Sequence, residues 1–79
     1  MKITFNDNIS KATEFVKTCK GYKSDIDLIV DKHYIVDGKS MLGVLAYAGG
    51  YSLEVEINAI NTAEQNRFVD EMCEKFGGI

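Results

Sequence analysis

The feature that most constrains this chain is its alternation between two hydrophobic repeats, one of period two and one of helical period, within 79 residues. A period-two repeat is typical of a half-buried strand, and an i, i+3, i+4, i+7 repeat is typical of an amphipathic helix. The predicted order is strand, helix, strand, strand, helix, strand, helix. The segments that carry it are residues 1–5, 9–20, 25–30, 34–36, 39–48, 52–57 and 62–76.

Each predicted strand has one apolar and one polar face. In the last strand, Leu53 and Val55 alternate with Glu54 and Glu56. Such strands predict an antiparallel or mixed sheet that helices cover on one side only. We therefore predict a single α+β domain over residues 1–79, an open-faced two-layer sandwich of order βαββαβα. A ferredoxin-like sandwich with another strand order is the alternative.

Polar residues and glycines predict where the helices begin and end. Asn8 or Ser10 is suited to cap the first helix, and Ser40 the second. Thr62-Ala63-Glu64-Gln65 matches a capping box for the third helix. Glycine follows each helix, at Gly21, Gly49-Gly50 and Gly77-Gly78. The predicted buried stripe of the third helix is Val69, Met72, Cys73 and Phe76.

Composition argues against several classes of function. The net charge of −3 and the pI of about 5.0 do not favour a nucleic-acid-binding protein. No apolar run has the length of about 20 residues that a membrane helix needs, so we expect a cytoplasmic protein without membrane insertion. The glycine pairs form no nucleotide-binding loop, and we expect no cofactor.

The residues with reactive or metal-binding side chains are few. His33 lies at the predicted hairpin without a second ligand nearby, and Cys19 and Cys73 fall on inward stripes, so we predict structural or neutral roles and no metal site. Four acidic residues of the strands predict a solvated acidic sheet face, with a divalent-ion or basic-partner site as the alternative. They are Asp25, Asp27, Glu54 and Glu56.

The middle helix is apolar around nearly its whole circumference. Because a helix on a one-sided sheet buries only one face, part of this helix should remain exposed and available to a protein partner. The residues predicted to contact that partner are Met41, Leu42, Val44 and Leu45. Ser40 is either an ordinary cap or a phosphorylation site, since phosphate at a helix N-terminus meets free N–H groups.

Two stretches resemble the HPr phosphocarriers of sugar phosphotransferase systems. Residues 15–22, Phe-Val-Lys-Thr-Cys-Lys-Gly-Tyr, match the end of that family's first helix, and residues 38–44, Gly-Lys-Ser-Met-Leu-Gly-Val, match the segment around its regulatory serine. The resemblance implies an antiparallel sheet of order 1-4-2-3 with three helices on one face. It also implies that Ser40 corresponds to the serine targeted by a kinase, beside an apolar docking surface.

The resemblance fails at the position that carries phosphate in HPr. In that alignment Asn8 replaces the phosphorylated histidine, Ser10 replaces the arginine and Lys11 replaces the proline, whereas Ala12 fits. The preceding loop is also about four residues shorter than the family's loop. A carboxamide has no nucleophilic nitrogen near neutral pH, so Asn8 cannot act as a phosphohistidine does.

These observations leave three hypotheses about function. We favour a regulatory or docking protein that transfers no phosphate, is not an enzyme, and binds protein partners whose identity the sequence does not give. The second hypothesis is an active phosphocarrier that uses an atypical residue, for which His33 is the one imidazole. The third is a structural domain that associates with its own copies through the middle helix.

Overall fold

A computed structural model describes residues 1–49 and 52–78 and shows four strands and three helices in the predicted order. The elements are β1 (Lys2–Thr4), α1 (Ile9–Lys20), β2 (Asp25–Asp31), β3 (Tyr34–Asp37), α2 (Met41–Leu45), β4 (Ser52–Asn58) and α3 (Thr62–Phe76). The four strands form one antiparallel sheet of order β1-β4-β2-β3. This order confirms the predicted HPr-like fold, and the ferredoxin-like alternative is wrong.

Strands β2 and β3 form the expected hairpin, with Leu28 opposite Val36 and a bulge between Ile29 and Asp31. Along β2, Ile26 and Leu28 are buried, whereas Asp25 is exposed. The inward positions face the three helices, and the other face of the sheet is open.

The core lies between the sheet and the helices, and its centre is a cluster of aromatic rings. Phe5, Phe15 and Phe76 meet edge to face, with ring centroids 5.3 to 6.3 Å apart. Tyr22 packs in the same way on Phe68, at 6.0 Å. These contacts join the end of β1 to both long helices.

Helix α3 buries only part of the predicted stripe. Met72 and Phe76 are buried as predicted, whereas Val69 is 37% exposed and Cys73 is exposed, and Phe68 is buried in addition. The prediction was wrong for Val69 and Cys73 because a stripe through Phe68, Met72 and Phe76 also has helical spacing. Turning Phe68 inward buries more apolar area than turning Val69 inward would.

The predicted ends of two helices also need correction. Asn61 caps α3 by accepting the N–H of Glu64 at 2.8 Å, so Thr62 is the first residue of the helix and not its cap. Helix α2 is shorter than the predicted 39–48, although Ser40 is its cap as expected. Gly50 lies outside the described residues. Within the described ranges, no helix has the length and apolar character that crossing a membrane requires.

Glu64 connects the start of α3 to the loop that precedes β2. Its Oε1 accepts the hydroxyl of Ser24 at 2.7 Å and the backbone N–H groups of Ser24 and Lys23 at 2.8 and 3.0 Å. The Ser24 hydroxyl is itself buried and accepts the N–H of Ile60 at 3.0 Å. These bonds, with that of the Ser24 hydroxyl first among them, lower the pKa of Glu64 below 4.5.

We predict that Glu64→Gln lowers the melting temperature at pH 7, and that the deficit shrinks as the pH falls below 4.5. A carboxylate whose pKa is lowered by folding stabilises the fold above its unfolded pKa, and this contribution is lost on protonation. Circular dichroism melts between pH 7 and pH 3 measure the effect, with Glu74→Gln on the exposed side of α3 as the control. An equal deficit at both pH values would contradict this assignment.

Candidate functional site: the first turn and the middle helix

A tight turn connects β1 to α1. Residues Phe5 to Asn8 form the turn, and the Asn8 N–H donates to the Phe5 carbonyl at 3.0 Å. Its two central residues, Asn6 and Asp7, have φ values of 52° and 59°. Asn and Asp tolerate this left-handed conformation better than other non-glycine residues, which explains their presence here.

Asn8 is the N-cap of α1, which decides between the two residues that the sequence offered, Asn8 and Ser10. Its Oδ1 accepts the backbone N–H of Ser10 at 2.9 Å and that of Lys11 at 3.3 Å. These are two of the N–H groups that the first turn of a helix leaves without an internal partner. The Asn8 side chain, which the resemblance aligns with the family's histidine, is therefore engaged with the start of its own helix.

The two residues that follow do not supply a cation to this turn. Ser10 is exposed and has a neutral hydroxyl. Lys11 extends towards α3, where its Nζ donates to the carbonyl of Lys75 at 3.1 Å. Because Lys75 lies in the last turn of α3, the Lys11 ammonium stabilises the negative end of that helix dipole.

Ser40 caps α2 and is exposed. Its Oγ accepts the N–H of Gly43 at 3.3 Å, and its own N–H donates to the Asp37 carbonyl at 2.9 Å. A side chain at Gly43 would place a Cβ 2.7 Å from Val36 Cγ1, so glycine allows α2 to approach β3 this closely. The serine hydroxyl thus lies at the surface, on a helix fixed to the core.

Three of the four apolar residues predicted for partner contact are accessible. Leu42 is 86% exposed, and Met41 and Leu45 are half-buried. Val44 is fully buried, so its prediction as a contact residue was wrong. Val44 faces the sheet because a helix lying on a core must bury one face. We call Met41, Leu42 and Leu45 the α2 apolar surface.

Sequence reasoning missed an apolar cleft at the carboxyl end of α2. Its volume is about 330 Å³, and Tyr34 packs against its wall at 5.9 Å from the ring of Tyr47. The residues that line it are Val30, Ala46, Tyr47, Ser52 and Leu53. They come from separate elements, so no local pattern could have indicated the cleft.

His33 and Cys19 do not lie at a helix N-terminus, where a phosphate group could be bound. His33 is exposed on the β2–β3 turn, and not at a helix N-terminus. His33 follows β2 and Asn8 follows β1, and β4 lies between these two strands, which are therefore about 10 Å apart. Burial raises the pKa of the Cys19 thiol to about 12, so Cys19 is an inert part of the core.

The comparisons with known proteins agree with this architecture. Residues 9–76 match a protein-family model described as the PTS HPr component phosphorylation site. This match covers most of the chain, and the chain therefore belongs to the HPr family, whose members are phosphocarriers of the phosphotransferase system. The matched range begins immediately after Asn8.

The fold is also similar to a crystal structure of HPr-C-His from Thermoanaerobacter tengcongensis. The TM-score is 0.68 at 20% sequence identity, over 100% of this chain and 96% of that chain. At this identity the likeness supports the fold alone. No curated protein matches the sequence.

We predict that Asn8→Ala lowers the free energy of unfolding by about 1 kcal/mol, because the N–H groups of Ser10 and Lys11 lose their acceptor. Asn8→Asp should retain most of the stability, since aspartate also caps helices. Urea denaturation measures both variants. Ser10→Ala is the control and should change the value by less than about 0.5 kcal/mol. A loss in Ser10→Ala as large as that in Asn8→Ala would contradict the capping role.

Proposed function

We propose that this HPr-family domain is a regulatory or docking protein that transfers no phosphate and is not an enzyme. The observation that carries the proposal is the Asn8 carboxamide at the helix cap, where its oxygen accepts the N–H groups of Ser10 and Lys11. Phosphoryl transfer through a side chain at this position requires a nucleophilic atom, and an amide lacks one. Helix α1 thus remains part of the fold, but its N-terminus does not carry a phosphoryl group.

The surroundings of Asn8 support the same conclusion. A phosphoryl group at the start of α1 would need N–H donors and a nearby cation to stabilise its charge. The N–H groups of residues 10 and 11 already have an acceptor, and the ammonium of Lys11 binds the Lys75 carbonyl. Ser10 offers a hydroxyl in place of a guanidinium, which removes bidentate recognition of phosphate.

In the proposed function, partner proteins bind at α2, which keeps the exposed apolar residues and the serine that the resemblance to the family implies. Leu42 exposes 86% of its surface to water, and a partner that covers it gains the free energy of burying a leucine side chain, about 1.5–3 kcal/mol. Ser40 lies beside this leucine at the helix start. A phosphate there would add negative charge and hydrogen-bond acceptors next to the α2 apolar surface, so it could change which partner binds.

We expect the domain to take no phosphate when it is incubated with enzyme I and radiolabelled phosphoenolpyruvate. A histidine-containing HPr is the positive control. Asn8→His should also stay unlabelled, because Ser10 lacks the charge of arginine and Lys11 is bound to Lys75. Labelling of the unmodified domain would contradict the proposal, and loss of that labelling in His33→Ala would identify His33 as the acceptor.

We expect an HPr serine kinase with ATP to phosphorylate Ser40, as measured by mass spectrometry, and Ser40→Ala to remain unmodified. Leu42→Ser should slow the reaction roughly tenfold, which corresponds to about 1.4 kcal/mol of lost docking energy. Ile60→Ser, at another exposed apolar residue, is the matched control. Equal rates for Leu42→Ser and the unmodified domain would contradict docking through the α2 apolar surface.

A further inference from the structure

The face of the sheet that the helices leave uncovered carries the negative charge of this chain. Five carboxylates project from it, and Lys2 is the one cationic side chain among the open-face strand residues that the structure describes. The carboxylates are Asp25, Asp27, Asp37, Glu54 and Glu56. The whole chain has 12 acidic and 9 basic side chains, so the acidic excess is concentrated on this face.

Three of these carboxylates form a row across adjacent strands. Asp27 on β2 lies directly opposite Asp37 on β3 and Glu56 on β4. Neighbouring strands are about 4.8 Å apart, so the row spans about 10 Å. Within the described ranges, none of the three has a cationic side chain within 4.0 Å, and Asp37 accepts only the backbone N–H of Lys39, at 2.9 Å.

The row has a cost in stability, and the one ion pair of this face within the described ranges is that of the Met1 ammonium with Glu54, outside the row, at 2.8 Å. Like charges directly opposite each other on neighbouring strands are destabilising. An arrangement of like charges that lowers stability is expected where the surface has a function.

An apolar pair lies beside the acidic row. Ile29 and Ile35 face each other across β2 and β3, two residues further along than Asp27 and Asp37, which is about 7 Å. Ile35 is 60% exposed. The open face therefore combines an apolar pair with a line of negative charge, in which Ile35, Asp37 and Glu56 are exposed and Asp27 and Ile29 are half-buried.

We propose that this face binds a cationic amphipathic helix of a partner protein, at a site separate from the α2 apolar surface. Lysine or arginine residues at i, i+4 and i+7 of such a helix span about 10.5 Å, which matches the row of Asp27, Asp37 and Glu56. Apolar residues on the same side of the helix would cover Ile29 and Ile35. Charge complementarity and the adjoining apolar pair favour such a helix, and the described residues contain no group of three acidic, histidine or cysteine side chains that could hold a metal ion.

The test uses a synthetic helical peptide of about 18 residues. It carries lysines at i, i+4, i+7 and i+11 and leucines on the adjoining stripe, and a second peptide has the same composition with the lysines spread around the helix. NMR titration at low salt should place the shift changes of the first peptide at Asp27, Glu56 and Ile35. The scrambled peptide should bind roughly tenfold more weakly.

Variants separate this site from general attraction to an acidic protein. Asp27→Asn with Glu56→Gln should weaken binding roughly tenfold, and Ile35→Ser should weaken it as well. The double variant should fold, because it removes two like-charge oppositions. Glu14→Gln with Glu74→Gln makes the same charge change on exposed positions of the helices and should alter affinity less than about twofold.

Three results would overturn the proposal. The first is equal affinity for both peptides, and the second is equal weakening by both double variants. The third is occupation of this face by something else, seen as calcium-induced shifts at Asp27 or as dimerisation of the domain in sedimentation runs without peptide.

Discussion

The contact among Phe5, Phe15 and Phe76 is the constraint on which the rest of this structure depends. The three rings are at most 2% exposed and meet edge to face, an arrangement worth about 0.5–1.5 kcal/mol per pair beyond the area buried. They join the end of β1, the middle of α1 and the end of α3. With Phe5 fixed in the core and α1 starting at Ile9, only a tight turn can connect them.

This turn determines which side chain lies at the start of α1. It brings Asn8 there, where the most favourable use of a short polar side chain is to cap the helix. The fold is compatible with asparagine at this position, because packing and capping need no histidine. The exposed side of α2 is independent of this turn, since Val44 and Gly43 hold that helix on the sheet and leave Leu42 in water.

Much of this architecture could be predicted from the sequence because it depends on local patterns. The periodicity of the hydrophobic residues predicted the order of the elements and predicted that one face of the sheet is not covered by helices. The resemblance to HPr supplied the order of the strands in the sheet. Capping chemistry identified Ser40 and narrowed the cap of α1 to Asn8 or Ser10, because an N-cap depends on residues only two or three positions away. The apolar circumference of a short helix predicted that part of α2 stays exposed, but not that Leu42 is the exposed residue and Val44 the buried one.

By itself, then, the sequence determined the order of the elements and the inward faces of the strands. Tertiary structure decided which of two equivalent stripes α3 buries, that Val44 belongs to the core, and that Lys11 and Glu64 bind groups far away in the chain. Glu64 and Ser24 are 40 positions apart, and Lys11 and Lys75 are 64 apart. A local pattern contains no information about such partners, because they meet only when separate elements pack against each other.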